Sequence, residues 1–487
     1  MFVGIDIGTT AVKSVLMGED GALHASASFP VPVSRPRAGW SEQDPEHWWT
    51  AVCDTLDALA AAEPRLMAAV SGIGLSGHMH GATVLGEGDA VLRPAILWND
   101  GRAAAECAAI EAACPDARSL TGNIAMPGFT APKLAWMRRH EPDLFARIRK
   151  VLLPKDYVRL RLTGDYASDM SDAAGTYWLD VGARRWSDAL LAATGLDRSQ
   201  MPELFEGTEP TGRLREPLRA RFGMDRAPVV AGGAGDNAAS ACGIGAVTPG
   251  AAFLSLGTSG VLFVSNARFS PNTEGAVHAF CHALPDTWHQ MGVILSATDS
   301  LNWFARLVGA PAPELTAALG PTVARPSPAF FMPYLSGERT PHNDAGARGG
   351  FLGLDQTTSR QDLTQAVLEG VAFAFRDCLR VLNDAGTDVA RAFAVGGGAN
   401  SPVWLSIMAS VLDRPLDVSA AADVGAAYGA ARLSQAAATG ARDPAALMPP
   451  PRVERTVEPD PALASAYAER YGRYRALHAS SAHAADP

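Results

Sequence analysis

The chain lacks both an excess of basic residues and any paired-cysteine motif, and each absence excludes a class of function. Its formal net charge of −10 over 487 residues argues against a nucleic-acid partner, because such binding needs a clustered basic face. No Cys-x-x-Cys spacing occurs among the six cysteines, which are Cys53, Cys107, Cys114, Cys242, Cys281 and Cys378. Scattered cysteines predict reduced thiols in a cytoplasm rather than the disulfide framework of a secreted protein.

Targeting and membrane segments are also missing from the sequence. The amino terminus enters an apolar run at once, without the basic region or cleavage site of a signal peptide. The uncharged stretch 237–267 is long enough to span a bilayer. Glycines and Pro249 interrupt this stretch, so buried strands are the better interpretation. We therefore expect a cytoplasmic protein without a membrane partner.

What remains is the composition of a folded globular protein, with 47% hydrophobic and 19% charged residues. A length of 487 residues favours two or three domains, each able to bury a core of its own. Because similar patterns occur on either side of the glycine-rich segment 243–250, we divide the chain there. The expected lobes are residues 1–242 and residues 243–487.

A Gly-Thr turn occurs twice, each time between two hydrophobic runs. The first copy spans residues 6–10, Asp-Ile-Gly-Thr-Thr, and the second spans residues 255–260, Ser-Leu-Gly-Thr-Ser-Gly. Each copy predicts a β-hairpin whose tip directs amides and hydroxyls at an anion such as a polyphosphate. A single such turn is usually an ordinary hairpin loop, whereas a matched pair favours two phosphate-binding elements. The residues assigned to them are Gly8, Thr9, Thr10, Lys13, Gly257, Thr258 and Ser259.

Asp6 ends the first apolar run, beside the amides of the first turn. A carboxylate at this position repels a bare polyphosphate, so we expect it to hold Mg²⁺ directly or through water. An isolated aspartate here would more often cap a turn. The second copy of the Gly-Thr turn is what favours the metal role over the capping role.

Asp236 follows the glycine-rich segment 232–235 and stands at a predicted helix start. Two interpretations stay open from the local sequence. In the first, Asp236 is the N-cap of the helix. In the second, it is a general base that the helix dipole keeps ionised, while the glycines let a substrate hydroxyl approach closely.

A polar wall for a polyol is predicted after two further strands. The first part of this wall, Met79 with His80, follows the apolar run 70–75, and the second part, Trp98 with Asp100, follows the run 95–97. The indole would pack on a sugar face and the carboxylate would accept hydroxyl protons. Core packing is nevertheless the commoner role of a tryptophan.

Histidines close together in sequence raise the alternative of a metal site. His78 and His80, two positions apart, supply only two ligands, so hydrogen bonding to sugar hydroxyls is favoured over metal binding. The group His278, Cys281 and His282 is a weak zinc candidate, because its spacing pairs poorly along a strand.

A second glycine-rich turn, residues 396–400, lies between an apolar run and the helix start Ser401-Pro402. The turn has neither a Walker A lysine nor the Rossmann glycine spacing. Bare backbone in such a turn lets a flat adenosine lie close to it. The residues assigned to adenosine are Gly397, Gly398 and Asn400.

In chain order, four motifs resemble those of the FGGY carbohydrate kinases: Asp6-Ile-Gly-Thr-Thr, Gly-Asp236-Asn, Leu-Gly257-Thr-Ser and Gly-Gly-Gly398-Ala. Longer segments narrow the resemblance to the branch of that family acting on xylulose. These segments are residues 40–46, 79–83, 93–102, 127–133, 153–157, 168–176 and 334–342. The resemblance covers nearly the whole chain, and its main departure is His78, where the family usually has glutamine.

The resemblance implies an α/β, two-lobed actin-like ATPase (ribonuclease H-like) fold with a cleft between the lobes. It implies phosphorylation of D-xylulose, with ATP and Mg²⁺ as cofactors and the sugar as the small-molecule partner. By the same resemblance Asp236 is the proton acceptor and Asp6 the magnesium-associated carboxylate. Met79, His80 and Asn237 are then sugar contacts.

Two rival functions stay open at this point. A sister kinase of the same family would act on ribulose, glycerol or gluconate instead. An actin-like ATPase switch would use the same turns with water as acceptor, although the chain shows no appended partner-binding domain. A homodimer is compatible with such lobes, but the sequence does not decide the oligomeric state.

Overall fold

The computed structural model describes residues 1–419 and 425–481 of the chain. Two seven-stranded mixed sheets form its framework, the first built between Phe2 and Gly235 and the second between Ala252 and Val457. Among the described residues, no helix is long and apolar enough to cross a membrane.

The strands, in chain order, are β1 Phe2–Ile7, β2 Ala11–Met17, β3 Leu23–Pro30, β4 Glu42–Gln43, β5 Gly72–Gly77, β6 Thr83–Leu85, β7 Ala95–Ile96, β8 Lys150–Leu152, β9 Ala167–Asp169, β10 Leu179–Asp180, β11 Arg185–Trp186, β12 Glu203–Phe205, β13 Pro210–Arg213, β14 Val229–Ala231, β15 Ala234–Gly235, β16 Ala252–Leu256, β17 Gly260–Asn266, β18 His278–Cys281, β19 Trp288–Ile294, β20 Phe330–Met332, β21 Gly350–Leu352, β22 Ala392–Val395, β23 Leu416–Ser419 and β24 Val453–Val457.

The α-helices are α1 Pro45–Ala62, α2 Pro64–Ala68, α3 Ala104–Ala113, α4 Ala117–Thr121, α5 Thr130–His140, α6 Pro142–Phe145, α7 Pro154–Thr163, α8 Met170–Ala174, α9 Asp188–Thr194, α10 Glu216–Arg221, α11 Asp236–Ile244, α12 Thr298–Val308, α13 Ala312–Ala317, α14 Arg360–Asp384, α15 Pro402–Leu412, α16 Ala426–Thr439 and α17 Pro461–Ser481. The helices cover both faces of the sheets, which is why most central strands are buried throughout.

The two sheets repeat one arrangement. The first has the order β13-β14-β5-β1-β2-β3, with β15 also paired to β5, and the second has the order β18-β19-β17-β16-β22-β23-β24. In each sheet an antiparallel hairpin, β1–β2 or β16–β17, is extended by a parallel partner, β5 or β22. The prediction of two matched hairpins carrying the Gly-Thr turns is therefore confirmed.

Helix α16 belongs to the second half of the sequence but packs across the first sheet, on β1, β5 and β14, and on helix α11. Glycines make this close approach possible. A Cβ on Gly4 would lie 1.9 Å from the Ala427 carbonyl oxygen, and one on Gly74 would lie 1.8 Å from that of Ala430. The backbones of strand and helix are thus in direct contact, with no side chain between them.

The connection between β5 and β14 holds most of the extra helices, including the irregular region 121–186 that the sequence indicates as the wall of a pocket. Phe129, Tyr177 and Trp178 from this region share one hydrophobic core with Phe263 and Phe280 of the second sheet. This shared core joins the insertion of the first half to the edge of the second sheet, and it forms one side of the cleft.

Helices of the second half begin close to the predicted positions. Ser359 caps helix α14 through a capping box with Asp362, and Ser401 caps helix α15, with Pro402 at its first position. The sequence predicts α14 over 361–382, and the structure extends it to Arg360–Asp384.

Candidate active site

A cavity of ≈ 380 Å³ lies between the two sheets and is lined by both halves of the chain. Cavities of ≈ 620 and ≈ 780 Å³ elsewhere are larger but contain none of the residues predicted from the sequence. The lining of the smaller cavity, which we call the cleft, is Met79, His80, Trp98, Met126, Gly128, Phe129, Asp236, Asn237, Ser255, Gly257, Thr258, Ser259, Val261, His278, Phe280, Met291, Val293 and Arg339.

Asp6 and Asp236 are brought together by strand pairing. Asp6 on β1 pairs with Ser76 on β5, and Ser76 pairs with Ala234 on β15, just before Asp236. The Ser76 hydroxyl donates a hydrogen bond of 3.0 Å to Asp6 Oδ1. Two carboxylates therefore meet at one edge of the first sheet, where parallel strands end.

The pKa values of both carboxylates are raised. Burial raises the pKa of Asp236 to about 7, with the charge of Asp6 as the second cause and hydrogen bonds from Asn237 opposing both. Burial also raises the pKa of Asp6, against the Ser76 hydrogen bond and the Lys13 charge. The expectation that the helix dipole keeps Asp236 ionised is thus outweighed by desolvation and by a like charge.

Asp236 is not the N-cap of its helix. Gly235 occupies the cap position without a side-chain hydrogen bond, and Asp236 is the first helical residue. Its Oδ1 accepts from the backbone nitrogen and from Nδ2 of Asn237, at 2.8 and 3.0 Å. Among the described residues Oδ2 accepts no hydrogen bond, and Asp236 lines the cleft. Because Gly235 holds the cap position, the capping interpretation of Asp236 is wrong.

His80 presents a hydrogen-bond acceptor to the cleft. Its Nδ1 lies 2.6 Å from the Gly175 carbonyl oxygen and donates to it. Burial, followed by the Lys133 charge, lowers the pKa of His80 to about 3, so the ring is neutral and its Nε2 carries a lone pair. The backbone of His80 has a φ of 71°, and its carbonyl oxygen accepts from Lys133 Nζ at 2.8 Å and from Thr130 Oγ1 at 3.2 Å.

Met79 packs against the turn that precedes Asp236, since a Cβ on Gly235 would lie 2.9 Å from Met79 Cγ. His78, the residue that departs from the family pattern, lies outside the cleft lining. Its buried ring makes an edge contact with Trp48 at 5.4 Å, and burial, with a contribution from Lys133, lowers its pKa to about 3. His78 is therefore a neutral ring that packs against Trp48 outside the cleft lining.

Trp98 lines the cleft, and its indole N–H donates to Thr9 Oγ1 at 3.0 Å. Asp100 does not line the cleft. Its carboxylate accepts from the Ser41 backbone nitrogen at 2.6 Å and forms an ion pair of 2.7 Å with Arg102. Trp98 therefore contacts the first Gly-Thr turn, whereas the carboxylate of Asp100 connects the loops that contain Ser41 and Arg102.

The first Gly-Thr turn lies at the margin of the cleft and not in its lining. The Gly8 amide donates to the Ala11 carbonyl oxygen, and the carbonyl oxygen of Thr10 accepts from Val31, so part of the turn is committed to the hairpin. Lys13 on β2 lies opposite Asp6 on β1 in the strand register, and its charge offsets part of the rise in the Asp6 pKa.

The second turn, Gly257–Ser259, does line the cleft. The carbonyl oxygens of Gly257 and Thr258 accept from Thr298 and Ala297 at the start of α12. In the part of the chain that the structure describes, the Gly257 and Thr258 amides donate to no protein acceptor. Two N–H groups thus remain available to an anion.

The turn Gly397–Asn400 packs directly behind the second Gly-Thr turn. A Cβ on Gly398 would lie 2.8 Å from Leu256 Cβ, whereas a Cβ on Gly397 would meet no atom within 4 Å. Gly397 therefore exposes bare backbone next to the cleft, while Gly398 and Asn400 belong to the same short 3₁₀ turn.

Arg339 and His278 line the cleft without having been assigned a role in it from the sequence. Arg339 lies within the family segment 334–342, but nothing in that segment indicates where its side chain points. His278, considered only for zinc, contacts Asn123 through Nδ1 at 3.0 Å. Among the described residues, no group of three or more histidine, cysteine, aspartate or glutamate side chains is arranged to hold a metal.

Comparisons with known proteins identify the family. The N-terminal domain of the FGGY family of carbohydrate kinases matches residues 1–243, and the C-terminal domain matches residues 252–438. The chain is 49% identical to a xylulose kinase of Escherichia coli (strain K12) over 98% of both chains. It is 36% identical to a xylulose kinase of Bacillus subtilis (strain 168), over 89% of this chain and 87% of the relative.

Solved structures agree in fold. A "xyloylose kinase" from Brucella ovis has a TM-score of 0.97 at 56% identity over all of both chains. A xylulose kinase from Rhodospirillum rubrum has a TM-score of 0.91 at 32% identity over 98% of both. The predictions of the family, of the two-lobed actin-like fold and of an ATP-using kinase are confirmed. The chain belongs to the FGGY family of carbohydrate kinases.

Proposed function

We propose that the protein transfers the γ-phosphoryl group of ATP to the terminal hydroxyl of D-xylulose, giving D-xylulose 5-phosphate in the catabolism of D-xylose. The relatives named xylulose kinases support this substrate. The observation that carries the reaction type is the half-buried carboxylate of Asp236, which lines the same cleft as the free amides of Gly257 and Thr258.

Asp236 acts as the general base. Its raised pKa of about 7 makes it a better proton acceptor than an ordinary aspartate, and it is still ionised in part at neutral pH. Asn237 fixes one carboxylate oxygen, so the other oxygen is oriented toward a hydroxyl in the cleft. The sugar oxygen then attacks the γ-phosphorus in line as its proton passes to Asp236.

The sugar lies against Met79, His80, Trp98 and Asn237 in this proposal, on the side of the first sheet. His80 Nε2 accepts from a sugar hydroxyl, and the Trp98 indole covers one face. Asp100 takes a supporting part, because its carboxylate holds Ser41 and Arg102 instead of the substrate.

The phosphates lie between the two Gly-Thr turns, with Thr9 and Thr10 on one side and Gly257, Thr258 and Ser259 on the other. Gly397 and Asn400 face the adenosine. Phosphoryl transfer asks a protein mainly for alignment and for stabilisation of negative charge. Backbone amides on opposite sheets supply both when the cleft closes and excludes water.

Mg²⁺ fits beside Asp6. Asp6 and Asp236 are neighbouring half-buried carboxylates, and the charge of Asp6 raises the pKa of Asp236. A divalent cation would relieve this repulsion. With no three-residue ligand group in the described part of the chain, Asp6 would share the ion with phosphate oxygens and water. When bound, the ion neutralises phosphate charge.

The proposal also covers organisation and location. We place the sugar-binding lobe at residues 1–242 and the nucleotide-binding lobe at 243–487, with α16 packing back onto the first. The six cysteines are unpaired, as expected for a reduced cytoplasm. A homodimer is the proposed assembly, and light scattering on the purified chain tests it.

An ADP-release assay with several sugars tests the function. D-Xylulose should give much the highest kcat/KM among D-xylulose, D-ribulose, glycerol and D-gluconate, and omission of Mg²⁺ should abolish turnover. Asp236→Ala should lower kcat about 10²- to 10⁴-fold with little change in the affinities for sugar and ATP. Equal ADP release with and without sugar would indicate an ATPase, and a preference for another sugar would identify a sister kinase.

A further inference from the structure

Arg339 is a cation that faces the cleft without a carboxylate partner. It lines the cavity, and in residues 1–419 and 425–481 its guanidinium takes part in no ion pair. The adjacent Glu338 uses Oε1 to accept from the backbone nitrogens of Arg339 and Leu295, and its Oε2 makes no hydrogen bond. Burial lowers the pKa of Arg339 against the opposing charge of Glu338. The desolvated guanidinium therefore has unused donors directed at a ligand.

The segment that carries Arg339 is fixed to the second sheet. Thr340 and Val293 on β19 exchange hydrogen bonds, from the Thr340 amide to the Val293 carbonyl oxygen and from the Val293 amide to Thr340 Oγ1, both at 3.0 Å. Leu295 donates to Glu338 at 2.9 Å. Both neighbours of Arg339 are thus tied to one strand, which holds the direction of the arginine side chain.

A chain of hydrogen bonds through Asn123 determines which ring nitrogen of His278 carries the proton, and so which nitrogen accepts from Arg339. The Asn123 amide nitrogen donates to the carbonyl oxygens of Thr121 at 2.8 Å and Ala279 at 3.0 Å, so its Oδ1 must accept from His278 Nδ1. Burial and the Arg339 charge keep the pKa of His278 well below its ordinary value, and the ring is neutral. With the proton on Nδ1, Nε2 accepts from Arg339 Nη1 at 3.5 Å.

Arg339 faces the sugar side of the cleft. Its charge contributes to the lowered pKa of His80 on the first sheet. Between these residues lies an aromatic floor in which Phe129 contacts His80 at 5.0 Å and Phe280 stacks on His278 at 5.4 Å. A guanidinium offers only donors, so it selects oxygen atoms that accept. In an open-chain 2-ketose the carbonyl oxygen always presents lone pairs, whereas a hydroxyl in its place also carries a proton that needs an acceptor, and a guanidinium supplies none.

We propose that Arg339, which His278 and, behind it, Asn123 hold in position, donates a hydrogen bond to the carbonyl oxygen of the ketose. This contact determines the preference for a ketose over a polyol. This inference rests on the proposed function and deepens it. His80 would contact hydroxyls from the first sheet, and Arg339 would contact the carbonyl from the second. The sugar is then bound from both halves of the chain.

Arg339→Gln and Arg339→Lys test the assignment in steady-state assays. The comparison is between KM for D-xylulose and the inhibition constants of xylitol and D-arabinitol, the two polyols formed by reducing its carbonyl. For Arg339→Gln we expect KM to rise about 10- to 100-fold, as for loss of a hydrogen bond to a charged donor. The polyol constants should stay nearly unchanged, and Arg339→Lys should lose less. A parallel rise for ketose and polyols would overturn the proposal.

His278→Phe separates positioning from packing. This change keeps an aromatic ring but removes the acceptor that fixes Arg339, so it should reduce the ketose preference in the same direction and leave KM for ATP unchanged. His289→Phe is the matched control, because this buried ring stacks on Phe263 at 4.5 Å outside the cleft lining. Equal effects of the two changes would indicate packing alone.

The two proposals fail in different ways. If the unmodified protein does not turn over D-xylulose, the proposed function is wrong. If it does, and the Arg339 variants keep the same ratio of ketose to polyol affinity, only the role of Arg339 is wrong.

Discussion

Asp236 is the residue whose surroundings most directly imply a response to pH. Its pKa of about 7 means that the ionised form, which accepts the sugar proton in the proposed mechanism, is fully populated only above neutrality. We therefore expect kcat/KM for the sugar to fall as the pH decreases through about 7, in initial-rate assays at constant ionic strength. A profile that is flat across neutrality would contradict the assignment of Asp236 as the base.

The same shift predicts a stability effect. The folded-state pKa of about 7 exceeds the value of 3.8 for an unperturbed aspartate, so stability is lost as the pH rises from 3.8 to about 7, and the loss is complete above about 7. Asp236→Asn removes this ionisation. Above pH 7 we expect it to increase the free energy of unfolding by up to about 4 kcal/mol, and the gain should shrink toward pH 3.8.

Urea unfolding at several pH values measures this effect. Asp143→Asn, at an exposed position, is the control and should leave the free energy of unfolding nearly unchanged at every pH. An equal change at all pH values for Asp236→Asn would mean that repacking, and not ionisation, causes the difference.

At this scale the sequence predicts best those residues that lie within a motif. Asp236, His80 and Gly257 were assigned from segments of a few residues, and each lines the cleft. Asp100 lies outside the cleft lining and binds Ser41, 59 positions earlier in the chain, a contact that the local sequence does not indicate. Arg339 was not assigned because the chain of hydrogen bonds that directs it joins Asn123 to a histidine 155 positions away, and no local pattern encodes such a contact.

Helix α16 owes its position to glycine. A Cβ on Gly429 would lie 1.8 Å from the Ala239 carbonyl oxygen of α11. Gly429→Ala should therefore force the two helices apart and lower the free energy of unfolding by about 1–3 kcal/mol or more. Because α11 begins at Asp236, kcat should fall as well.

Gly472→Ala is the matched control for this change. Gly472 lies in helix α17, and a Cβ there would meet no atom within 4 Å. The same substitution should raise stability by up to about 1 kcal/mol, since alanine favours the helix more than glycine does. Thermal unfolding of both variants measures the contrast, and losses of similar size would refute the close-contact explanation.

A buried charge cluster connects helices α7 and α8 to the turn that contains Gly235. Lys155 Nζ lies 2.6 Å from Asp156, 2.7 Å from Asp169 and 3.2 Å from Asp172, all with fully buried side chains. Asp169 accepts from the hydroxyl of Ser171, which in turn accepts from the backbone nitrogen of Gly235. The cluster thus reaches the residue immediately before Asp236.

The cluster members should differ in their tolerance to substitution. Burial raises the pKa of Asp172 well above its ordinary value, so its carboxyl holds a proton more readily than its neighbours do, and Asp172→Asn should change stability by less than about 1 kcal/mol. Lys155→Met removes the cation nearest to these carboxylates and leaves only Arg159, 3.9 Å from Asp156. It should lose about 3–5 kcal/mol. Chemical unfolding of both variants measures the difference, and a large loss for Asp172→Asn would show that this carboxyl is ionised.

Whether a helix or strand forms could be predicted from the sequence more readily than where it packs in the fold. The hairpins and the starts of α14 and α15 follow from apolar runs and capping residues, which act over a few positions. The packing of α16 on the first sheet depends instead on Gly4, Gly74 and Gly429. Their close contacts are with residues far away in the sequence, so the structure is needed to identify them. Single glycines within apolar runs do not reveal such contacts.

At the scale of the whole molecule, the cleft is lined by residues of both halves of the chain. We therefore expect sugar and nucleotide to bind cooperatively, because either ligand draws the same two surfaces together. In a thermal-shift series, the increase in Tm with D-xylulose and a non-hydrolysable ATP analogue together should exceed the sum of the separate increases. Strictly additive increases would argue against coupled closure.

The crossing of α16 has a consequence for dividing the gene. A fragment that ends at residue 243 would leave the backbone groove of β1 and β5 uncovered, while a fragment that begins at residue 252 would carry an apolar helix with nothing to pack on. Neither half should be expressed alone as a stable protein. The two fragments expressed together should reassemble, with helix α16 of one polypeptide packing on the first sheet of the other. The pair could then serve as a split enzyme whose activity reports contact between two fused proteins.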